Sequence, residues 1–101
     1  WMVPETHRVR ARLERLEGNL EAARTYLAQA LAGFERSGED VDRLLGYYEA
    51  AQLHKALGEK TTARTWLEKA LAVAERLNNA PMRAHIEEEL ANGAVASGTS
   101  P

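Results

Sequence analysis

Arg8, Arg12 and Arg15 stand at spacings of four and three residues, so on a helix all three share one face. A guanidinium is a planar fork of N–H donors that matches a carboxylate. Three of them together suit an acidic segment or a chain-terminal carboxylate. The plainer reading, and the one to prefer, is a solvated face, with Arg12 or Arg15 paired across a turn to Glu14 or Glu17 or to a preceding repeat, since exposed ion pairs are common and worth little. Other chemistry finds no support. His7, His54 and His85 do not cluster at metal spacing, and His85 with Glu88 or Glu89 supplies two ligands where zinc needs at least three. The chain has no cysteine, and Ser37, Ser97 and Ser100 fall in a loop or tail without a nucleophile elbow. Glu87, Glu88 and Glu89 read as a solvated run, not as an acid/base pair held in a cleft. No glycine-rich loop follows a strand, so there is no phosphate cradle. These residues suggest binding and not catalysis: no enzyme, no metal and no cofactor.

The arginines need a helix to align them. Over residues 5–17 Val9, Leu13 and Leu16 recur at the helical period, with Pro4 in the first turn and Gly18 as the stop. Asn19 then caps a second helix, about 20–36, striped by Leu20, Ala23, Leu27, Ala30, Leu31 and Phe34. Residues 37–40 break it, and Asp40 is the candidate cap of a third helix, about 41–57. This one carries Val41, Leu44, Leu45, Tyr48, Ala51, Leu53 and Leu57, a sector wide enough for packing on both sides. Gly58 repeats the role of Gly18. A fourth helix, about 60–77, turns Ala63, Leu67, Ala70, Leu71, Ala74 and Leu77 inward. Asn78 and Asn79 stop it, and Pro81 opens a fifth, about 81–91, with a narrow stripe of Met82, Ile86 and Leu90. Its polar back (Arg83, Glu87, Glu88) suits a cap on a stack. A small, polar tail after Asn92-Gly93 is expected to fray.

A repeat lies beneath this pattern. Gly18, Ala23, Arg24, Thr25, Leu27, Ala30, Leu31, Ala32, Glu35 and Arg36 return unchanged 40 residues later as Gly58, Ala63, Arg64, Thr65, Leu67, Ala70, Leu71, Ala72, Glu75 and Arg76. Tyr26 meets Trp66 at the same offset. A fixed period of this size marks stacked supersecondary units. The turns are short, so the paired helices should be antiparallel neighbours. Ala11, Ala23 and Ala30 in one hairpin and Ala51, Ala63 and Ala70 in the next sit where helices must approach closely.

The pattern resembles the tetratricopeptide repeat: a small residue in helix A, a turn Gly, then small, large apolar and Ala positions in helix B. Ala11, Gly18, Ala23, Leu27 and Ala30 carry it first, and Ala51, Gly58, Ala63, Leu67 and Ala70 second. His7 and Tyr47 take the Trp-side position, whereas Glu14 and His54 depart from the mid-helix Tyr. Pro81 follows the second unit, and the first lacks its Pro. The period exceeds the usual ~34 residues and is similar to the extended repeats of large bacterial transcriptional activators and STAND-type signalling ATPases. The resemblance implies an all-α, right-handed α-solenoid of two antiparallel helical hairpins plus a C-terminal capping helix. Its domain would cover residues 1–92, with repeat 1 about 5–37, repeat 2 about 41–77, the cap about 81–92, and a flexible tail at 93–101. It also implies a non-catalytic scaffold whose A helices line a groove for a protein or peptide segment, within a larger bacterial regulatory or signalling protein. Mapped through the repeat, the groove residues are Arg8, Arg12, Arg15, Tyr48, Gln52 and Lys55. The carboxylate clamp of chaperone-binding members needs Asn in mid-helix A. Arg12 and Gln52 stand there, with Glu49 adding negative charge, so chaperone tails are not the expected partner. The alternative is self-association through the outer side of the first helix or the convex face. Tyr26 and Trp66, at equivalent helix-B positions away from the groove, read first as core or inter-repeat contacts and otherwise as a convex contact surface.

Composition sets outer bounds. The 101 residues are 45% hydrophobic and 28% charged, which suits one globular domain or a piece of a longer array. A formal charge of −2 argues against a direct nucleic-acid partner. No run approaches the ~18 apolar residues of a membrane span, and no basic start with an apolar h-region is visible. Together with the lack of cysteine this gives a cytoplasmic expectation. Met2 behind Trp1 reads as an artificial start.

Overall fold

Ala, Leu, Glu and Arg form helices at little intrinsic cost, and they dominate the chain. In the computed structural model the backbone is described for residues 4–98 and the side chains for residues 6–92. Five helices follow in order: α1 Pro4–Leu16, α2 Leu20–Ser37, α3 Asp40–Ala56, α4 Lys60–Arg76 and α5 Ala80–Gly98. Residues 1–3 and 99–101 lie outside the described residues.

Three helix ends close in the same way. Gly18, Gly58 and Asn78 adopt φ of +85°, +78° and +56°. The N–H of each bonds back three residues, and the next N–H five residues: Gly18 to Arg15 (3.0 Å) and Asn19 to Glu14 (2.8 Å), Gly58 to Lys55 (3.0 Å) and Glu59 to His54 (2.9 Å), Asn78 to Glu75 (3.1 Å) and Asn79 to Ala74 (2.9 Å). This is the Schellman closure, which satisfies carbonyls the helix leaves bare. Asn78 can stand in for glycine because its short polar side chain tolerates the left-handed region.

Two expected caps act otherwise. Asn19 makes no side-chain cap bond; its amide donates to Glu14 Oε1 at 2.9 Å, tying the turn back to α1. Asp40 lies inside the first turn of α3, and its carboxylate accepts from Arg76 Nη2 at 3.0 Å and Arg43 Nη1 at 3.5 Å. Asn79 is a working cap, its Oδ1 accepting the Met82 N–H at 3.2 Å. The backbone of α5 also runs past the expected end near residue 92, through Asn92 and Gly93 to Gly98, so the predicted tail at 93–101 begins as helix. A glycine inside a helix costs roughly 1 kcal/mol and does not block it.

The helices pair as hairpins, α1 with α2 and α3 with α4, and α2 against α3 joins the two. On the other side of the second hairpin, α5 packs on α4. All six alanines expected at close approaches are buried: Ala11, Ala23, Ala30, Ala51, Ala63 and Ala70. One core cluster joins Ala11, Ala23 and Leu27 to Ala50 and Leu53; the second joins Leu44, Ala51, Leu67, Ala70, Val73 and Ala74 to Ile86, and Trp66 packs against both. The apolar stripe of α1 is not the face it buries. Ala11 and Glu14 are buried, whereas Val9, Leu13 and Leu16 are 43%, 50% and 66% exposed. Among the described elements α1 has neighbours on one side alone, and the tight hairpin selects its alanine face. Val41, expected inward, is also exposed.

The joints between units trade size. Gly46 of α3 faces Phe34, and a Cβ built there would lie 2.8 Å from the ring. Forty residues on, Ala74 replaces Phe34 and Ile86 replaces Gly46, and both are buried in one cluster. The bulky residue has moved from helix B to the following helix A.

Candidate functional site

Side chains of α1, α3 and α5 that answer one another at the repeat spacing meet on one side of the molecule. Arg15 Nε donates to Glu49 Oε2 at 2.9 Å, across 34 residues of sequence. Lys55 Nζ donates to Glu89 Oε1 at 2.8 Å, again across 34 residues. Lys55 occupies the place of Arg15 in the second unit, and Glu89 the place of Glu49 in the third helix of the series. The ion pair therefore repeats with the fold, each cation reaching the carboxylate of the next A-type helix.

Glu89 gathers more than its ion pair. Tyr48 Oη donates to its Oε2, and Gln52 Nε2 donates to its Oε1 at 3.0 Å. His85 Nε2 lies 3.3 Å from Glu89 Oε2 and 2.8 Å from Tyr48 Oη. Burial alone would raise the Glu89 pKa, but the hydrogen bonds from Lys55, Tyr48 and Gln52 outweigh it and hold the carboxyl below its ordinary value. Burial and the accepting carboxylate together push the Tyr48 phenol well above its usual range. Tyr48 therefore remains a donor at neutral pH.

The six residues expected to line a groove thus divide. Tyr48, Gln52 and Lys55 converge on one carboxylate, which comes from the chain itself. Arg15, only 18% exposed, is taken by Glu49 and not by Glu14 or Glu17; Glu14 is held by Arg10 Nε at 3.0 Å and by Asn19. Arg12 is exposed and has no ion-pair or hydrogen-bond partner among the described residues, and Arg8 is half-buried and engaged. Glu89 escaped the sequence, where Glu87, Glu88 and Glu89 looked alike. The signal was present in the period, which carries Arg15 and Glu49 onto Lys55 and Glu89.

Away from this face each hairpin carries an aromatic clasp between its two helices. His7 stacks on Tyr26 at 6.3 Å in the first, and Tyr47 lies 5.6 Å from Trp66 in the second. A cation covers each helix-B ring: Arg10 at 5.6 Å from Tyr26, Lys69 at 4.7 Å from Trp66. Tyr26 and Trp66 are half-buried in these clasps. His54 stacks on Trp66 and shares a 2.6 Å hydrogen bond between its Nδ1 and Glu59 Oε1. No three His, Cys, Asp or Glu side chains gather as a possible metal set among the described residues. No described helix is long and apolar enough to cross a membrane.

Helical hairpins stacked at a 40-residue period, with alanines at the crossings and glycine at the A–B turns, define an α-helical repeat protein. Residues 3–76, well over half of the chain, match the tetratricopeptide repeat, and the chain belongs to that family. Such repeats are generally scaffolds for protein–protein interaction and typically do not catalyse. No curated protein and no solved structure matches the chain.

Proposed function

We propose that this domain is a non-catalytic module, within a larger regulatory or signalling protein, that holds an acidic protein segment against the face formed by α1 and α3. Arg8, Arg12, Arg15, Tyr48, Gln52 and Lys55 would line that face. One observation carries the proposal: three of these side chains already hold a carboxylate, that of Glu89. The exposed guanidinium of Arg12 on α1 offers a second anchoring point. A cation paired in solvent gains little, so recognition would draw on several such contacts together with the rigid ring of Tyr48. Exchanging Arg8 and Arg12 for glutamate should reverse the charge of the α1 end of this face. The expected result is loss of binding to a Glu-rich peptide at unchanged helicity, read by titration and circular dichroism. Unchanged affinity would count decisively against this face.

A second role, self-association, is favoured by the apolar stripe Val9, Leu13 and Leu16. It lies exposed along α1, and no described element covers it.

A further inference from the structure

The two inter-unit ion pairs are alike in register and unlike in surroundings. Arg15 and Glu49 have side chains 18% and 6% exposed, between helices whose backbones come within 8 Å. The pair sits beside the core contacts of Ala11, Ala50 and Leu53 and acts as part of that joint. At the second joint no described Cα of α3 lies within 8 Å of α5. What spans the gap at Glu89 is side chain alone: a phenol, an amide and an ammonium from α3. Lys55 is 47% exposed. The helix that carries Glu89 is held independently, by Ile86 buried in the core with Met82 and Leu90 packed beside it. Rotating the Glu89 side chain toward solvent would free the Gln52 amide and the Lys55 ammonium, and leave the Tyr48 phenol 2.8 Å from His85 Nε2, without moving α5.

We infer that Tyr48, Gln52 and Lys55 form a carboxylate receptor that Glu89 fills as an internal competitor, and that a partner's carboxylate binds by displacing it. The inference rests on the groove function proposed above and adds its ligand chemistry and its restraint. Two sources could supply the carboxylate, an acidic side chain or a chain terminus. The donor set fits either, since three donors from one helix face converge on a single group. The intramolecular carboxylate acts at a high effective concentration, so the partner must bring further contacts to win.

Fluorescence anisotropy with two labelled probes tests this: a Glu-rich peptide blocked at both ends, and an apolar peptide with a free C-terminal carboxylate. Glu89→Ala should tighten binding of the probe whose carboxylate enters the receptor, by about fivefold, the scale of one partly exposed charge-assisted contact. Glu88→Ala makes the same change in net charge at an exposed position of α5 and should leave affinity unchanged. Adding Lys55→Met to Glu89→Ala should remove the gain. Glu89→Gln keeps the side-chain shape and loses the charge, so it should also tighten binding, and it serves if alanine loosens α5. Equal effects of Glu88→Ala and Glu89→Ala would reduce the result to bulk charge and overturn the competition. The groove function would survive that outcome if Arg12→Glu still weakened binding. Failure of both probes to bind every variant would overturn both.

Discussion

Glu89 shows how much one side chain depends on its neighbours. Tyr48, Gln52, Lys55 and His85 all face it, and the net effect holds its carboxyl below the ordinary 4.5. A group whose folded pKa is depressed stabilises the fold fully above its unfolded value, and that contribution disappears as pH falls through the folded value. The loss should therefore appear as pH falls below the ordinary glutamate range and through the lowered folded value. Glu89→Gln should flatten this part of the stability curve, by less than about 1 kcal/mol because the Lys55 end of the pair is half exposed. Urea unfolding at a series of pH values reads it, and a variant with the slope of the parent would show that Glu89 adds nothing. Asp40, held low first by the hydrogen bond from Arg76, leaves a residual slope of the same sign in both proteins.

Between elements, the deciding quantity is volume. Phe34 fills the space that Gly46 leaves, and at the next joint Ile86 fills what Ala74 leaves. Phe34→Ala alone opens a cavity worth roughly 3–5 kcal/mol, and Gly46→Ile alone forces a side chain into the ring, costing about 1–3 kcal/mol. Together they copy the arrangement at the second joint, so the double variant should recover at least about 1 kcal/mol relative to the sum of the singles. Additive losses in urea unfolding would contradict the compensation. Hairpins were legible because alanine spacing and turn glycines act within one unit. Periodicity marked Val9, Leu13 and Leu16 as an apolar face of α1, yet it could not say whether another helix covers that face. In the structure none of the described helices does.

At the scale of the whole molecule the fold is a short, flat array, 49 × 33 × 17 Å, in which each unit leans on the next. Leu13 and Leu53 hold the same place in successive units. Leu53 is 1% exposed within the core shared by the two hairpins, and Leu13 is half exposed. If α1 pairs with a second copy, light scattering should give a mass that rises with concentration, and Leu13→Glu should hold the protein at the monomer mass. A parent protein that is monomeric at every concentration would remove self-association from consideration.

Arg8, Arg12, Arg15, Tyr48, Gln52 and Lys55, the residues proposed to line the binding face, bring these scales together. By itself the sequence determined that they lie on helices, that the helices pair, and that the pairs recur every 40 residues. Each of those properties comes from interactions among neighbours three or four positions apart, or from residues that tolerate a positive φ. Only the tertiary structure decided that Arg15 turns to Glu49 while Tyr48, Gln52 and Lys55 close on Glu89. Ion pairing depends on distance in space, and stacking one unit on the next makes groups 34 residues apart into neighbours.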